Sequence, residues 1–230
     1  MAAPTDEPAG ESTDESGDEP AVESTRDALI AAGLHCFGHK GFAAASTREI
    51  AARAGANVAA IAYHFGGKEG LRAACAETVA ARMGGILDPL DPPGADTPAA
   101  ARAVLDQAIR AVTLFLASAP GVADIAAFLL REITDPGPAF DRIYAETIGP
   151  RHAALCRLWG LAAGTDPEAE ATRLAVFAMM GQVLYFRIGR PVILRRMDWE
   201  DITPDRAAAI ADLLAANLHA ALDATERTAP

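Results

Sequence analysis

Residues 46–68 read STREIAARAGANVAAIAYHFGGK, a stretch whose pattern predicts two short helices joined by a tight turn. Ser46 followed three residues later by Glu49 is a capping box, so the first helix is expected to begin at Thr47. Gly55 is placed to end it, because glycine readily adopts the left-handed conformation that commonly follows a last helical turn. The first helix is therefore only about two turns long.

The second helix of this stretch is expected to follow Asn57, whose side chain can cap it, and to end at Gly66–Gly67. The residues predicted to form a buried seam are Ile50, Ala51, Ala54 and Ile61. The residues left to face outward are Arg48, Tyr63, His64 and Lys68. Two short helices joined in this way, the second with small residues on its outer face, are typical of a helix-turn-helix that enters the DNA major groove.

On these residues and their spacing, the chain resembles the DNA-binding segment of the TetR family of bacterial transcriptional regulators. The similarity runs from about Thr25 to Ala80. Its most specific residues are Gly41-Phe42, Thr47 to Ala51, Gly55, Tyr63 to Phe65, Lys68-Glu69 and Leu71. Ala45 departs from the pattern, because the family often has a threonine there that could contact phosphate.

The resemblance implies an all-α protein, with an N-terminal three-helix head that contains the helix-turn-helix and a larger C-terminal helical domain for ligand binding and dimerisation. Composition agrees, because 51% of the 230 residues are hydrophobic, only 6% are aromatic, and runs of alanine recur. We predict a disordered acidic tail at residues 1–23, a DNA-binding domain at residues 24–82, and a ligand-binding and dimerisation domain at residues 83–230.

The net charge of −11 is unevenly distributed along the chain. Residues 1–24 hold eight acids and no base, and residues 83–230 carry a net charge of −6. Residues 25–82 hold seven bases and four acids, so the helix-turn-helix lies in the positively charged part of the chain. Local charge rather than total charge decides whether a surface can neutralise phosphates, and this distribution favours duplex DNA as a partner.

Three widely spaced cysteines, Cys36, Cys75 and Cys156, indicate buried thiols in a reducing, cytoplasmic compartment. His35 and His39 have metal-ligand spacing on a helix, but no carboxylate or third ligand falls at a matching position in the sequence. We therefore predict no metal and no cofactor. The two histidines are expected to be a partly exposed pair close to the DNA backbone.

Apolar periodicity and Gly/Pro breaks predict further helices at about residues 25–40, 69–84, 98–118, 121–132, 140–164, 167–188 and 204–224. A loop is expected at residues 88–98, and an interruption at Gly149–Pro150. A membrane span at Ala111–Leu130 is considered and rejected, because it contains Pro120-Gly121 and because Asp124 alone would cost about 2.5 to 3.5 kcal/mol in mid-bilayer.

The two C-terminal helices have apolar faces that are too large for the rest of the C-terminal domain to bury, so a partner subunit is expected to cover them. In the resembled family these helices pair with their copies as a four-helix interface, and two-fold DNA recognition favours a homodimer. Residues 187–199 are also similar to the C-terminal domain of the CecR-like subgroup.

The expected DNA contacts divide by chemistry. The residues able to donate to phosphate are Thr47, Tyr63, His64 and Lys68. Arg48 is the predicted base reader, since its forked donors match guanine O6 and N7. The residues expected to contact thymine methyls, or simply to allow close approach, are Val58, Ala59 and Ala62. Asn57, which caps this helix, is counted with the same DNA-binding set. The alternative is that Tyr63 and His64 only cap and pack.

A repressor of this kind would release an inverted-repeat operator when a small, partly apolar effector binds the body. The side chains offered for that pocket are Phe115, Phe128, Arg131, Glu132, Tyr144, His152, Trp159, Phe177 and Gln182. Two other functions remain open, namely a helical adaptor and a helical enzyme that uses Glu132, His152 and His219. No phosphate loop, metal cluster or nucleophile motif accompanies those three residues.

Overall fold

The computed structural model describes residues 19–87, 96–118 and 121–228. Within these ranges all regular structure is helical, which confirms the all-α prediction. The helices are α1 (Glu19–Lys40), α2 (Thr47–Arg53), α3 (Val58–Phe65), α4 (Lys68–Leu87), α5 (Pro98–Ser118), α6 (Val122–Thr134), α7 (Pro138–Ile143), a π-helical turn (Tyr144–Ile148), α8 (Gly149–Ala163), α9 (Glu170–Ile188), α10 (Arg190–Met197) and α11 (Pro204–Thr228).

The head consists of α1 to α4 around one hydrophobic core. Phe37 of α1, Ile50 of α2, Ile61 of α3 and Leu71 of α4 are each at most 1% exposed and belong to the same cluster. The predicted seam is confirmed for Ile50, Ala51 and Ile61, which are buried, while Ala54 packs partly buried against them. One apolar side of each short helix therefore fixes α2 and α3 against the longer α1 and α4.

The body has a second core, built mainly by α5, α8, α9 and α11. Trp159 of α8 is 1% exposed, and Leu214 and Leu218 of α11 are 1% and 2% exposed. These two leucines lie four residues apart, so they fall on the one stripe by which α11 packs along α5. The body core thus depends on the three-and-four spacing that the sequence shows.

Head and body share a packed junction between α1 and α6. Ile125 and Phe128 of α6 belong to the head core. A Cβ atom added at Gly38 of α1 would lie 2.7 Å from the backbone nitrogen of Phe128, so the two helices touch through backbone at this point. The division at residues 82 and 83 stays a prediction, and α4 continues across it to Leu87.

Several predicted helix ends are wrong by three residues or more. The first helix begins at Glu19 instead of Thr25, and α4 does not end at Gly84, because it continues through both glycines to Leu87. Residues 1–18 of the tail predicted at residues 1–23, and most of the predicted loop, residues 88–95, lie outside the described residues. Residues 19–23 of that tail were predicted to be disordered and instead form the first turn of α1.

The C-terminal half contains one helix and one irregular turn that were not predicted from the sequence pattern. α10 was not separated from its neighbours, although Gly189 stands between it and α9. The interruption expected at Gly149–Pro150 is a π-helical turn immediately before it, at Tyr144–Ile148. Proline lacks a backbone N–H, so a wider turn just N-terminal to it disturbs few hydrogen bonds.

The rejected membrane span is resolved into two helices. Pro98–Ala117 and Val122–Thr134 are bent by 105° relative to one another. Of the described helices, α11 alone is by itself long and apolar enough to cross a bilayer, a property that core helices of soluble proteins share. Its apolar stripe belongs to the body core.

Candidate nucleic-acid interface

The first helix of the helix-turn-helix is held by a side-chain cap. Ser46 Oγ accepts a hydrogen bond of 3.1 Å from the backbone N–H of Glu49, which confirms the predicted start at Thr47. The Glu49 carboxylate instead lies 2.6 Å from Lys40 Nζ, and this hydrogen bond raises the pKa of Lys40. Glu49 thereby ties the start of α2 to the end of α1.

The turn and the second helix follow the predicted chemistry. Gly55 has φ +64° and lets the chain reverse, after which Asn57 Oδ1 accepts a hydrogen bond of 3.0 Å from the N–H of Ala59. Gly66 ends α3 in the left-handed conformation and donates its N–H to the carbonyl of Ala62. Each end of α3 is therefore set by one residue next to it.

The outer face of α3 is open and nearly free of bulk at its start. Val58 is 41% exposed and Tyr63 is 80% exposed, and Ala59 and Ala62 between them are also exposed. The first turn of α3 contains no acidic residue that would repel phosphate. A face of this kind can approach the floor of a major groove closely.

The helix-turn-helix and the start of α4 also carry basic and aromatic side chains that solvent reaches. Arg48 is exposed and makes no ion pair within the described ranges of the chain, whereas Thr47, His64 and Lys68 are half-buried. Lys68 Nζ lies 4.5 Å from the centroid of the Phe42 ring, which holds the ammonium group at the start of α4. The ring of Tyr63 meets that of His64 edge-on, with centroids 5.0 Å apart.

Behind the helix-turn-helix, a buried ion pair joins head to body. The Arg72 guanidinium donates two hydrogen bonds, of 2.9 and 2.7 Å, to the two carboxylate oxygens of Glu132 on α6. Glu132 is only 2% exposed, and Arg72 also lies over the Phe42 ring at 4.9 Å. This bidentate ion pair links α4 of the head to α6.

The nine side chains offered for an effector pocket are divided between two cores and the surface. Phe128 lies in the head core and Trp159 in the body core, whereas Tyr144 and Phe177 are each 53% exposed. Arg131 is exposed on α6, and Phe115 of α5 is half-buried. These six side chains therefore do not line one common pocket in the single chain.

Three more of these residues are engaged with other side chains. Glu132 is held by Arg72, and the ring of His152 stacks on Phe177 with centroids 3.9 Å apart. Gln182 accepts a hydrogen bond of 3.0 Å from the side chain of Asn217. His219 pairs with Asp106 at 2.9 Å, so the three residues offered for an enzyme, Glu132, His152 and His219, have separate partners.

Sequence reasoning missed Asp124 as a partner of the two histidines. Asp124 Oδ1 lies 2.9 Å from His35 Nδ1 and 3.1 Å from His39 Nε2, so the statement that no carboxylate accompanies the pair is wrong. The contacts join residues 89 and 85 positions apart, and no local pattern reports such a distance. The pair lies against α6 of the body.

A capped helix-turn-helix with an exposed second helix, on a head whose sequence is locally cationic, defines a DNA-binding protein of the helix-turn-helix class. Residues 29–75 match the family model of bacterial regulatory proteins of the tetR family, and residues 101–225 match that of the C-terminal domain of the HTH-type transcriptional dual regulator CecR. The chain therefore belongs to the TetR family of bacterial transcriptional regulators, with a C-terminal domain of the CecR type.

Proteins that match most of the chain agree with this family assignment. The HTH-type transcriptional dual regulator CecR of Shigella flexneri is 34% identical over 187 residues, which cover 77% of this chain and 82% of that protein. A TetR-like transcriptional regulator from Rhodococcus sp. RHA1 shares the fold with a TM-score of 0.62 at 17% identity, over 89% of this chain and 97% of the other. SmeT, the repressor of the Stenotrophomonas maltophilia multidrug efflux pump SmeDEF, shares the fold with a TM-score of 0.58 at 21% identity. The match covers 85% of this chain and 91% of SmeT.

Proposed function

We propose that this DNA-binding regulator acts as a homodimeric repressor, which binds an inverted-repeat operator and is released by a small, partly apolar effector. The observation that supports this proposal most directly is the exposed outer face of α3, between Val58 and Tyr63, on a head of net positive charge. Two such faces related by a two-fold axis would lie about 34 to 36 Å apart and enter successive major grooves. The protein would act in the cytoplasm, where the operator is.

Within that interface we propose one base reader and a set of phosphate donors. Arg48 is the reader, because it is exposed and not committed to another side chain among the described residues. The phosphate donors are Thr47, Tyr63, His64 and Lys68, with Asn57 holding the start of α3. The small side chains Val58, Ala59 and Ala62 allow close approach and can contact thymine methyls.

Selection of bound sequences from random duplex DNA tests the proposal directly. An inverted repeat with half-site centres about 10 base pairs apart, or a multiple of that spacing, is the expected product. Enrichment of a single half-site would contradict the dimeric arrangement, and no enrichment would contradict the assignment of a specific operator. Placing the selected repeat before a reporter gene then distinguishes repression from the activation that a dual regulator also exerts.

Arg48→Ala and Lys68→Ala are expected to weaken binding in different ways. Without Arg48, discrimination at one base position should fall by about 1 to 3 kcal/mol, since a bidentate contact to guanine is lost. Without Lys68, all sequences should weaken together, and the slope of log affinity against log salt should fall by about one. Competition binding on a panel of half-site variants at several salt concentrations measures both effects.

A matched control for these variants is Arg195→Ala, which removes one exposed positive charge from α10 of the body. It should leave both discrimination and the salt slope unchanged. Equal loss of discrimination in Arg48→Ala and Lys68→Ala would contradict the division between base reading and phosphate contact.

The homodimer is supported by apolar side chains that the single chain leaves uncovered on its last helices. Leu174, Phe177, Tyr185 and Ile188 lie on one side of α9 and are 47% to 59% exposed. Leu213 of α11 is 54% exposed and lies one turn before Asn217, which is hydrogen-bonded to Gln182 of α9. The surfaces of α9 and α11 therefore adjoin, as a four-helix interface requires.

An effector site in the body is supported by Trp159. Its indole N–H is buried and has no hydrogen-bond partner among the described residues. A buried donor without an acceptor costs about 1 to 3 kcal/mol, which a ligand oxygen could recover. The effector that this donor favours is a mostly apolar molecule that carries one hydrogen-bond acceptor.

A further inference from the structure

We propose that His35, His39 and Asp124 form a binding site for a divalent transition metal of the zinc type, which links α1 of the head to α6 of the body. His35 Nδ1 lies 2.9 Å and His39 Nε2 lies 3.1 Å from the same oxygen, Asp124 Oδ1. All three ligand atoms lie within 4.8 Å of one another. Tetrahedral zinc with bonds of about 2.0 to 2.1 Å needs its ligand atoms roughly 3.3 Å apart.

The geometry needs only small side-chain movements to admit an ion. The two imidazole rings are 4.5 Å apart between centroids and lie on one side of α1, a turn apart. In the metal-free arrangement each nitrogen facing Asp124 Oδ1 must donate a proton to it. A cation would replace those protons, and the two nitrogens would each move slightly away from the oxygen, to the separation of roughly 3.3 Å between ligand atoms that tetrahedral zinc requires.

The helices that carry the ligands are already held against each other. The backbones of α1 and α6 meet at Gly38, next to His39, where a Cβ atom would lie 2.7 Å from Phe128 nitrogen. Ile125, which follows Asp124, is 4% exposed in the head core. Pre-organised ligands lose little conformational freedom when they bind, so packing outside the cluster favours the site.

Solvent reaches all three side chains of the cluster. The side chains of His35, Asp124 and His39 are 33%, 30% and 50% exposed. An open cavity of about 280 Å³, lined by Ala28, Ala31, Ala32, Arg53, Ala54 and Asp124, adjoins the aspartate. Three protein ligands with one open position is the arrangement of a zinc site that keeps a bound water or accepts a further ligand.

Nearby charges set the strength of the site. Burial lowers the pKa of Arg187, and the charge of Arg190 lowers it further, whereas Asp124 raises it, so the positive charge of Arg187 acts on the aspartate. Arg53 lines the adjoining cavity and adds positive charge. Two imidazoles with one carboxylate suit zinc, cobalt or nickel, and do not suit magnesium or calcium, which require oxygen ligands.

The consequence for regulation rests on the proposed function. A metal that joins α1 to α6 would bind with different affinity to arrangements of head and body that differ at this junction. Operator affinity would then change by the same factor as metal affinity, because binding free energies are reciprocally linked. The metal site itself can be tested without DNA, so its failure is separable from failure of the regulator proposal.

The test uses full-length, tag-free protein titrated with Zn²⁺ by calorimetry and with Co²⁺ by visible absorption. One equivalent per chain is expected, with cobalt bands typical of low coordination number. His39→Ala and Asp124→Asn should each weaken binding by at least about tenfold, since even outer-shell changes cost that much. Zn²⁺ should also raise the Tm of the wild type and not that of the variants.

The matched control is His219→Ala, which removes a histidine paired to Asp106 at 2.9 Å with similar exposure but with no second histidine. It should bind one metal ion as the wild type does. The proposal is overturned if the wild type takes up no stoichiometric metal, or if folded His39→Ala and Asp124→Asn bind it as tightly. Circular dichroism of each variant identifies loss of fold, and His39→Gln then replaces any variant that fails.

Discussion

Replacing Arg72 by alanine is expected to lower the free energy of unfolding by about 3 to 5 kcal/mol, because it leaves a buried carboxylate without its counter-charge. Glu132 is 2% exposed, and both of its oxygens accept hydrogen bonds from Arg72. Arg72→Ala removes both of these hydrogen-bond donors at once. Urea unfolding followed by circular dichroism measures the change.

Arg142→Ala is the control for this prediction. Arg142 pairs with Glu77 at 2.7 Å and with Glu146 at 3.0 Å, but all three side chains are more than two-fifths exposed. Its loss should cost no more than about 1 kcal/mol, as is usual for surface pairs. If Arg72→Ala were no more destabilising than Arg142→Ala, the buried pair would not be the strong link between head and body that its geometry indicates.

The pair Arg72→Met with Glu132→Leu separates the cost of a stranded charge from the value of the ion pair. A buried ion pair replaced by apolar residues of similar size is often neutral or stabilising. The double variant should therefore recover most of the stability that Arg72→Ala loses. If it folds but binds the selected operator more weakly, then the ion pair positions the head and is not needed for folding.

Leu213→Glu is expected to produce monomers and to reduce affinity for the selected inverted repeat by about 100-fold to 10,000-fold, because the second half-site is no longer held at high effective concentration. Leu213 is 54% exposed in the single chain, so a glutamate there should not disturb the fold. In the proposed dimer it would bury an unpaired charge against the partner. Sedimentation and operator titration measure the two effects.

Ile133→Glu provides the matched control, since Ile133 is 41% exposed and lies on α6, outside the proposed interface. This variant should stay dimeric and bind the operator normally. A Leu213→Glu protein that remained a dimer would place the interface elsewhere. A monomer that bound the full repeat as tightly as the wild type would contradict two-fold recognition.

The helix-turn-helix could be predicted closely because its determinants are local. Ser46, Asn57 and Gly66 each act on a backbone group within four residues, so their identities fix where α2 and α3 begin or end. The ends of α1 and α4 were predicted less well. Glycine weakens a helix without forbidding it, and at Gly84 the helix continues into the contact with Arg151, whose guanidinium donates to the Gly84 carbonyl.

The sequence by itself determined that this protein is all-helical, that it carries a DNA-binding head on residues of net positive charge, and where that head's caps and turns lie. Only the tertiary structure brought Arg72 to Glu132 and both histidines to Asp124, and it divided the residues offered for an effector pocket between two cores and the surface. The physical reason is the distance along the chain over which each interaction acts. Capping and periodicity act over a few residues, whereas these contacts join positions 60 to 89 apart, which helix packing alone brings together.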